Sequence, residues 1–179
     1  MWRLFAPDLQ VDSVLELDPP RLRSLGLDAL LLDVDCTLKA YRSESVAPDV
    51  AAWLEELRGA GIGRCLISNG RAGRIRRLAQ QLSLPVVCQA CKPLPFGCRA
   101  ALRKTGFDRR RTAMVGDQLF ADVMAGRLAG LTCILVRPLH PEQEHWYTRM
   151  KRPLERLFLA RMKRAEGVKD EGRGMGDEG

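Results

Sequence analysis

Four polar clusters in this chain carry groups suited to chemistry on an anionic substrate. They are Asp33-Val34-Asp35-Cys36-Thr37, Ser68-Asn69-Gly70, Lys92-Pro93 and Gly116-Asp117-Gln118-Leu119-Phe120-Ala121-Asp122. Asp33 and Asp35 follow the apolar run Ala29-Leu30-Leu31-Leu32. In an extended segment residues two apart point to the same side, so both acids address one site unless the chain turns between them. Two buried like charges repel unless a cation or a proton is shared. The stretch therefore reads as a metal site, as a catalytic pair, or as a strand running into a solvated acidic turn. Asp33 suits attack on phosphorus to give an aspartyl-phosphate, which splits one hard step into two. Asp35 suits protonation of the leaving oxygen and later activation of water. Asp117 together with Asp33 suits Mg²⁺, a hard cation that favours carboxylate oxygens and offsets the repulsion between a dianionic ester and an attacking carboxylate. Thr37, Ser68 and the backbone N–H groups near Asn69 suit the non-bridging phosphate oxygens, aided by the N-terminus of the helix that follows. Lys92 suits neutralising charge on the transferring group or on Asp33. Asp122 either binds a metal-bound water or orients Lys92. Each signal alone has an ordinary explanation, since Ser-Asn-Gly is a common turn and Lys-Pro precedes many helices. Their fixed order, and their placement after strands or at a helix start, favour catalysis.

The elements that must position these groups alternate. Strands are expected at residues 29–32, 62–67, 85–88, 112–115 and 132–136. Helices are expected at about 48–58, 72–82, 96–105 and 119–128, with Pro48 in a first turn. This alternation predicts an α/β fold: a five-stranded parallel sheet with right-handed crossovers and helices on both faces. Parallel strands bring their carboxyl ends to one edge, where the four clusters converge. Residues 1–28 are expected as an N-terminal arm packed on the domain, with Pro19-Pro20 interrupting it and a short helix from Arg21 to Leu25 ending at Gly26. Residues 29–140 form the main domain, 141–165 a basic amphipathic segment, and 166–179 a Gly-rich, charged tail whose composition predicts disorder.

The chain has 179 residues, enough for one domain with a full core, and a net charge of +7 that favours anionic partners. It has six cysteines. Residues 1–7 hold no continuous apolar core, so no secretory signal is expected. No stretch is long and apolar enough to span a bilayer. A reducing, cytoplasmic setting with free thiols is the expectation. Cys88, Cys91 and Cys98 invite a structural zinc reading, but Cys65 and Cys133 sit in strand-like runs and His140 and His145 lie far along the chain.

In this order, Asp-x-Asp-x-Thr, Ser-Asn, Lys-Pro and Gly-Asp-x-x-x-x-Asp resemble the haloacid dehalogenase (HAD) superfamily of aspartate phosphatases. The resemblance covers about residues 4–149. It is nearest to the YqeG-type branch and similar to the phosphatidylglycerophosphate phosphatases, which share Asp-x-Asp-Asn-Thr-Leu, Ser-Asn-Asn, Lys-Pro and Gly-Asp-Gln-x-x-Thr-Asp. This chain departs at Cys36, Gly70 and Ala121. The resemblance implies a three-layer Rossmannoid fold with Mg²⁺ as cofactor. It implies Asp33 as nucleophile, Asp35 as acid/base and backbone metal ligand, Ser68 and Lys92 as phosphate contacts, and Asp117 as metal ligand.

The gaps from Leu38 to Ile67 and from Gly70 to Cys91 are filled by the expected elements, so no cap domain is predicted. An open site suits a substrate presented by a surface. Met150, Leu154, Leu157, Phe158 and Met162 form one helical stripe, beside Arg149, Lys151, Arg152, Arg156, Arg161, Lys163 and Arg164. That segment, 146–165, either lies on an anionic membrane surface or packs its stripe on the domain. The leading reading is a Mg²⁺-dependent phosphatase of the cytoplasm or inner membrane face, acting on a phosphorylated lipid. Phosphatidylglycerophosphate is the substrate the resemblance implies. The alternatives are a phosphatase of a soluble sugar or nucleotide phosphate, and an RNA- or ribosome-binding protein on the same scaffold. No aromatic platform or recognised RNA motif supports the last, so nucleic acid is not expected as a partner.

Overall fold

A computed structural model describes residues 4–41 and 43–140, and, in the C-terminal segment, residues 153, 155 and 157–161. Six strands form one sheet: β1 (Leu9–Val11), β2 (Ala29–Leu32), β3 (Gly63–Ser68), β4 (Val86–Cys88), β5 (Thr112–Gly116) and β6 (Thr132–Val136). Their spatial order is β1-β6-β5-β2-β3-β4, and every neighbouring pair is parallel. The chain leaves β2 towards β3 and β4 on one side, then returns through β5 and β6 on the other. Strand order therefore reverses beside β2, which places a ligand crevice at its carboxyl end.

Helices cover both faces, and the alternation along β2 shows why the strand must be apolar throughout. Leu30 and Leu32 pack with Val50, Trp53, Leu54 and Leu57 of α2 (Pro48–Gly59) and Ile75, Leu78 and Ala79 of α3 (Ala72–Gln81). Leu31 points the other way, onto Cys98 and Ala101 of α4 (Phe96–Thr105) and Ala125 and Ala129 of α5 (Met124–Ala129). The interval between β2 and β3 is occupied by one loop and α2, and that between β3 and β4 by α3. Among the described residues no cap interrupts the domain between these strands.

The sheet has six strands where five were expected. The sixth comes from the N-terminal arm: Leu9, Gln10 and Val11 pair with Ile134, Leu135 and Val136. Three residues are too few to show a two-residue period, and the partner strand lies far along the chain, so the arm carried no strand signal. Side chains secure it as well. Arg127 donates to the Ala6 carbonyl and pairs with Asp8 at 2.7 Å, and Trp53 Nε1 donates to the Leu17 carbonyl at 2.9 Å. Pro19-Pro20 does not interrupt the arm but opens helix α1 (Pro19–Ser24), whose N-cap Asp18 accepts from the Arg21 N–H at 2.7 Å.

The described residues at 153, 155 and 157–161 are helical. Phe158 packs edge-on against Phe5 and Phe120, with ring centroids 5.7 and 5.3 Å apart. Glu155 is buried and accepts from the Phe120 N–H at 3.2 Å. One member of the expected stripe, Phe158, thus faces the domain, while Leu157 is 50% exposed. Met150, Leu154 and Met162 lie outside the described residues, as does the tail from 166. No described helix is long and apolar enough to cross a membrane.

Candidate active site

Asp33 follows β2 directly, and its N–H donates to the Val115 carbonyl of β5 at 2.9 Å, so the sheet ladder continues into the site. Its carboxylate is buried and receives two donors. Lys92 Nζ bonds Oδ1, and the Thr37 hydroxyl lies 3.3 Å from Oδ2 and 3.2 Å from Asp117 Oδ1. A hydroxyl has one proton, so Thr37 serves one of these two acids at a time. Lys92 also donates to Asp122 Oδ1 at 2.6 Å, and the Gln118 N–H donates to Asp122 Oδ2 at 3.0 Å. Carboxylate oxygens of Asp33, Asp117 and Asp122 all lie within 4.8 Å of one another. Three buried carboxylates this close call for a shared cation, and their hard oxygen donors fit a divalent ion such as Mg²⁺.

Burial pushes the Asp33 carboxyl up to about 7; the Lys92 ammonium opposes this, while Asp122 and, more weakly, Asp35 add to it. Burial alone would lower Lys92, but the Asp122 and Asp33 carboxylates outweigh it and hold the ammonium above its ordinary range. Lys92 therefore stays charged at any working pH.

The structure brings together most of the residues expected from sequence. Asp122 lies beside Asp33 and Asp117 and holds Lys92, the contact expected of a residue that orients that ammonium. Asn69 does not present its side chain to the site. Its Nδ2 donates to the Lys92 carbonyl at 2.8 Å, and its Oδ1 accepts from the Lys92 N–H at 2.9 Å, which ties the loop after β3 to the Lys92 loop. Ser68 is buried with its Oγ accepting from the Gly70 N–H at 2.9 Å, and its hydroxyl proton remains available to donate. Gly116 allows the close approach of Asp122: a Cβ there would run into the Asp122 carboxyl group.

The chain turns directly after the second acid, at residues 36–38. Cys36 N–H donates to the Lys39 carbonyl at 2.8 Å, and Cys36 has φ 66°, in the left-handed region. Asparagine tolerates that conformation better than most residues, which accounts for the Asn of the resembling pattern at this place. At the start of this turn Asp35 faces two cations that the sequence did not single out. Arg74, in the first turns of α3, holds it bidentately at 2.8 and 2.5 Å, and the buried Lys39 Nζ lies 3.1 Å from its Oδ1. Arg74 sat unmarked among Arg71, Arg76 and Arg77, and Lys39 in a stretch that read only as polar.

All six cysteines are free thiols. Cys88, Cys91 and Cys98 do not converge: Asp33, Asp117 and Asp122 are the only metal-capable grouping among the described residues. Burial pushes the Cys98 and Cys133 thiols up to about 12 and Cys65 up to about 11. A disulfide exchange reagent applied to the native protein at neutral pH is expected to label the exposed Cys91 and half-buried Cys88 first. Peptide mapping that found Cys65, Cys98 or Cys133 modified equally fast would contradict this packing.

Residues 5–130 match the haloacid dehalogenase-like hydrolase family, and the chain belongs to that family. It is 28% identical to the "Probable phosphatase YqeG" of Bacillus subtilis over 162 residues, covering 90% of this chain and 94% of that protein. It is 26% identical to the chloroplastic phosphatidylglycerophosphate phosphatase 1 of Chlamydomonas reinhardtii, covering 88% of this chain and 62% of the other. It is also 31% identical to a phosphoserine phosphatase of Thermus thermophilus, covering 69% of this chain and 51% of that protein.

Proposed function

We propose that the chain is a Mg²⁺-dependent phosphomonoester hydrolase acting through an aspartyl-phosphate on Asp33, with phosphatidylglycerophosphate as its substrate. The observation that carries the reaction class is the pairing at Asp33. A carboxylate at the carboxyl end of the central strand is oriented by Lys92 and Thr37 beside two further acids. Asp33 attacks phosphorus, the bond to the leaving oxygen breaks, and Asp35 supplies the proton that oxygen needs. Water then attacks the same phosphorus, Asp35 takes its proton, and phosphate leaves as Asp33 is restored. Ser68 and the loop N–H groups hold the non-bridging oxygens, and Lys92 balances charge on the transferring group. Asp33, Asp117 and the Asp35 backbone would hold Mg²⁺, with Asp122 beside them. The ion supplies charge neutralisation and a fixed orientation for the phosphoryl oxygens.

Two features support a lipid substrate. Among the described residues no cap covers the site, and Leu94 and Phe96, just beyond Lys92, are 47% and 61% exposed. The named relatives of similar sequence include phosphatidylglycerophosphate phosphatases. We propose an anionic membrane surface as the second partner, reached through 146–165 and this apolar rim at the inner membrane face. Phosphate release from phosphatidylglycerophosphate in mixed micelles should exceed that from soluble phosphomonoesters in kcat/KM. The phosphoserine phosphatase relative favours the second reading, a soluble substrate, and equal or higher kcat/KM on soluble esters would select it. Flotation should recover the chain with phosphatidylglycerol vesicles and not with neutral ones; recovery with neither would remove the membrane partner.

The Asp33 carboxyl gives this reading a pH signature. Its folded pKa of about 7 stands above the usual 3.8, so the metal-free fold holds this proton more tightly than the unfolded chain does. The stability it contributes is full below about pH 4 and is lost as pH rises through about 7. A cation competes with that proton. Mg²⁺ should therefore raise Tm more at about pH 8 than at about pH 5.5. An equal or reversed shift would argue against a metal at Asp33.

A further inference from the structure

We propose that Arg74 is a specificity residue that binds a second anionic group on the leaving-group side of the substrate. The inference rests on the phosphatase reading above and extends it to the substrate's shape. Arg74 meets Asp35 with Nη1 on Oδ1 at 2.8 Å and Nη2 on Oδ2 at 2.5 Å. Asp35 is the group that faces the leaving oxygen in the proposed reaction, so a guanidinium bound to its carboxylate lies on the leaving-group side.

A guanidinium has five N–H donors, and the Asp35 clamp uses two of them. The Tyr41 ring also lies beside it, its centroid 6.0 Å from Cζ, and the nearby Asp33 charge favours the guanidinium. The Arg74 side chain is 33% exposed, whereas the Lys92 and Lys39 side chains are 3% and 1% exposed. Of the three cations around Asp33 and Asp35 among the described residues, Arg74 alone is both anchored and open to solvent. Lys92 is committed to Asp33 and Asp122, and Lys39 donates to the Ser43 carbonyl at 2.6 Å. An anchored guanidinium with free donors suits a phosphate-type anion, which it can meet with two parallel hydrogen bonds. A phosphomonoester whose leaving alcohol carries a phosphodiester a few bonds away satisfies both ends. The monoester would sit at Asp33 and the diester at Arg74.

The test compares two soluble substrates with the same scissile group. One is glycerol 3-phosphate, whose leaving alcohol is neutral. The other is the deacylated head group, in which the leaving glycerol carries a glycerophosphodiester. The quantity read is the ratio of their kcat/KM values, because any harm to Asp35 in a variant acts on both substrates and cancels. Wild type should prefer the diester-bearing substrate, and Arg74→Ala should lower that ratio about tenfold or more, chiefly through KM. Arg74→Lys, which keeps the charge and loses the fork, should recover part of the ratio. An unchanged ratio in Arg74→Ala, or no recovery in Arg74→Lys, overturns the assignment. The diacyl lipid in mixed micelles supplies a further arm. The same loss there as with the head group places the recognised anion in the substrate, whereas a loss confined to the lipid moves Arg74 to the membrane surface and overturns the proposal. Wild type inactive on every phosphomonoester would instead defeat the phosphatase reading itself.

Discussion

Asp33→Asn is expected to lower kcat by a factor on the order of 10⁴ or more, since it removes the atom proposed to form the covalent intermediate. The fold should survive. The Asn amide oxygen can still accept from Lys92, and the substitution removes a carboxyl that burial pushes up to about 7. Because Asn does not titrate, the fall in metal-free stability between about pH 4 and pH 7 should flatten in this variant. Turnover of a soluble phosphomonoester and thermal melts across that range give both results. Substantial activity in Asp33→Asn would reassign the nucleophile, and an unchanged pH profile of stability would remove Asp33 as the group responsible.

Lys92→Met is expected to have the largest effect on stability. Lys92 Nζ is buried between Asp33 and Asp122, and removing one partner of a buried ionic group leaves like charges facing each other without compensation. The usual cost is about 3–5 kcal/mol, a large share of the roughly 5–15 kcal/mol that holds a domain together. In a domain of this size the melting temperature should fall by roughly 10 °C or more. Two second measurements separate this cause from simple loss of packing. Mg²⁺ should recover part of the lost stability, because it supplies positive charge to the same carboxylates. Asp122→Asn added to Lys92→Met should also be less destabilising than the sum of the single changes. Strict additivity, with no response to Mg²⁺, would show that the ammonium was not balancing these acids.

Much of the fold was legible because central parallel strands are buried on both faces. Leu30, Leu31 and Leu32 must all be apolar for that reason, and such runs, separated by helical periods, imply a parallel sheet without any knowledge of contacts. The predicted helix ends at Pro48 and Thr105 match α2 and α4 for a local reason. Proline is accommodated in a first turn, and Gly106 takes the left-handed conformation that closes α4. The elements that were missed lack such local marks. β1 is three residues long, and its pairing with β6 depends on a partner more than a hundred residues away. The helix expected at 119–128 begins as a π-helical turn, Leu119–Val123, before α5. Wider turns of this kind are frequent at functional sites, and here one carries Asp122 back towards Lys92.

The amino-acid sequence by itself determined which groups reach the site. A chain that alternates strand and helix delivers the residues after each strand to one edge, so Asp33, Ser68, Lys92 and Asp117 were bound to meet there. Only the tertiary structure decided how they pair. Partners beyond the strand end are set by the chain that follows: the left-handed turn at Cys36 brings Lys39 back to Asp35, and Arg74 reaches it from α3, while Asp33 stays with Asp117. Asp122 enters the acidic group because Gly116 leaves room for its carboxyl, and Arg74 reaches Asp35 because β3 lies beside β2 in the sheet. These are distances between segments far apart in the chain, and no spacing within one segment encodes them.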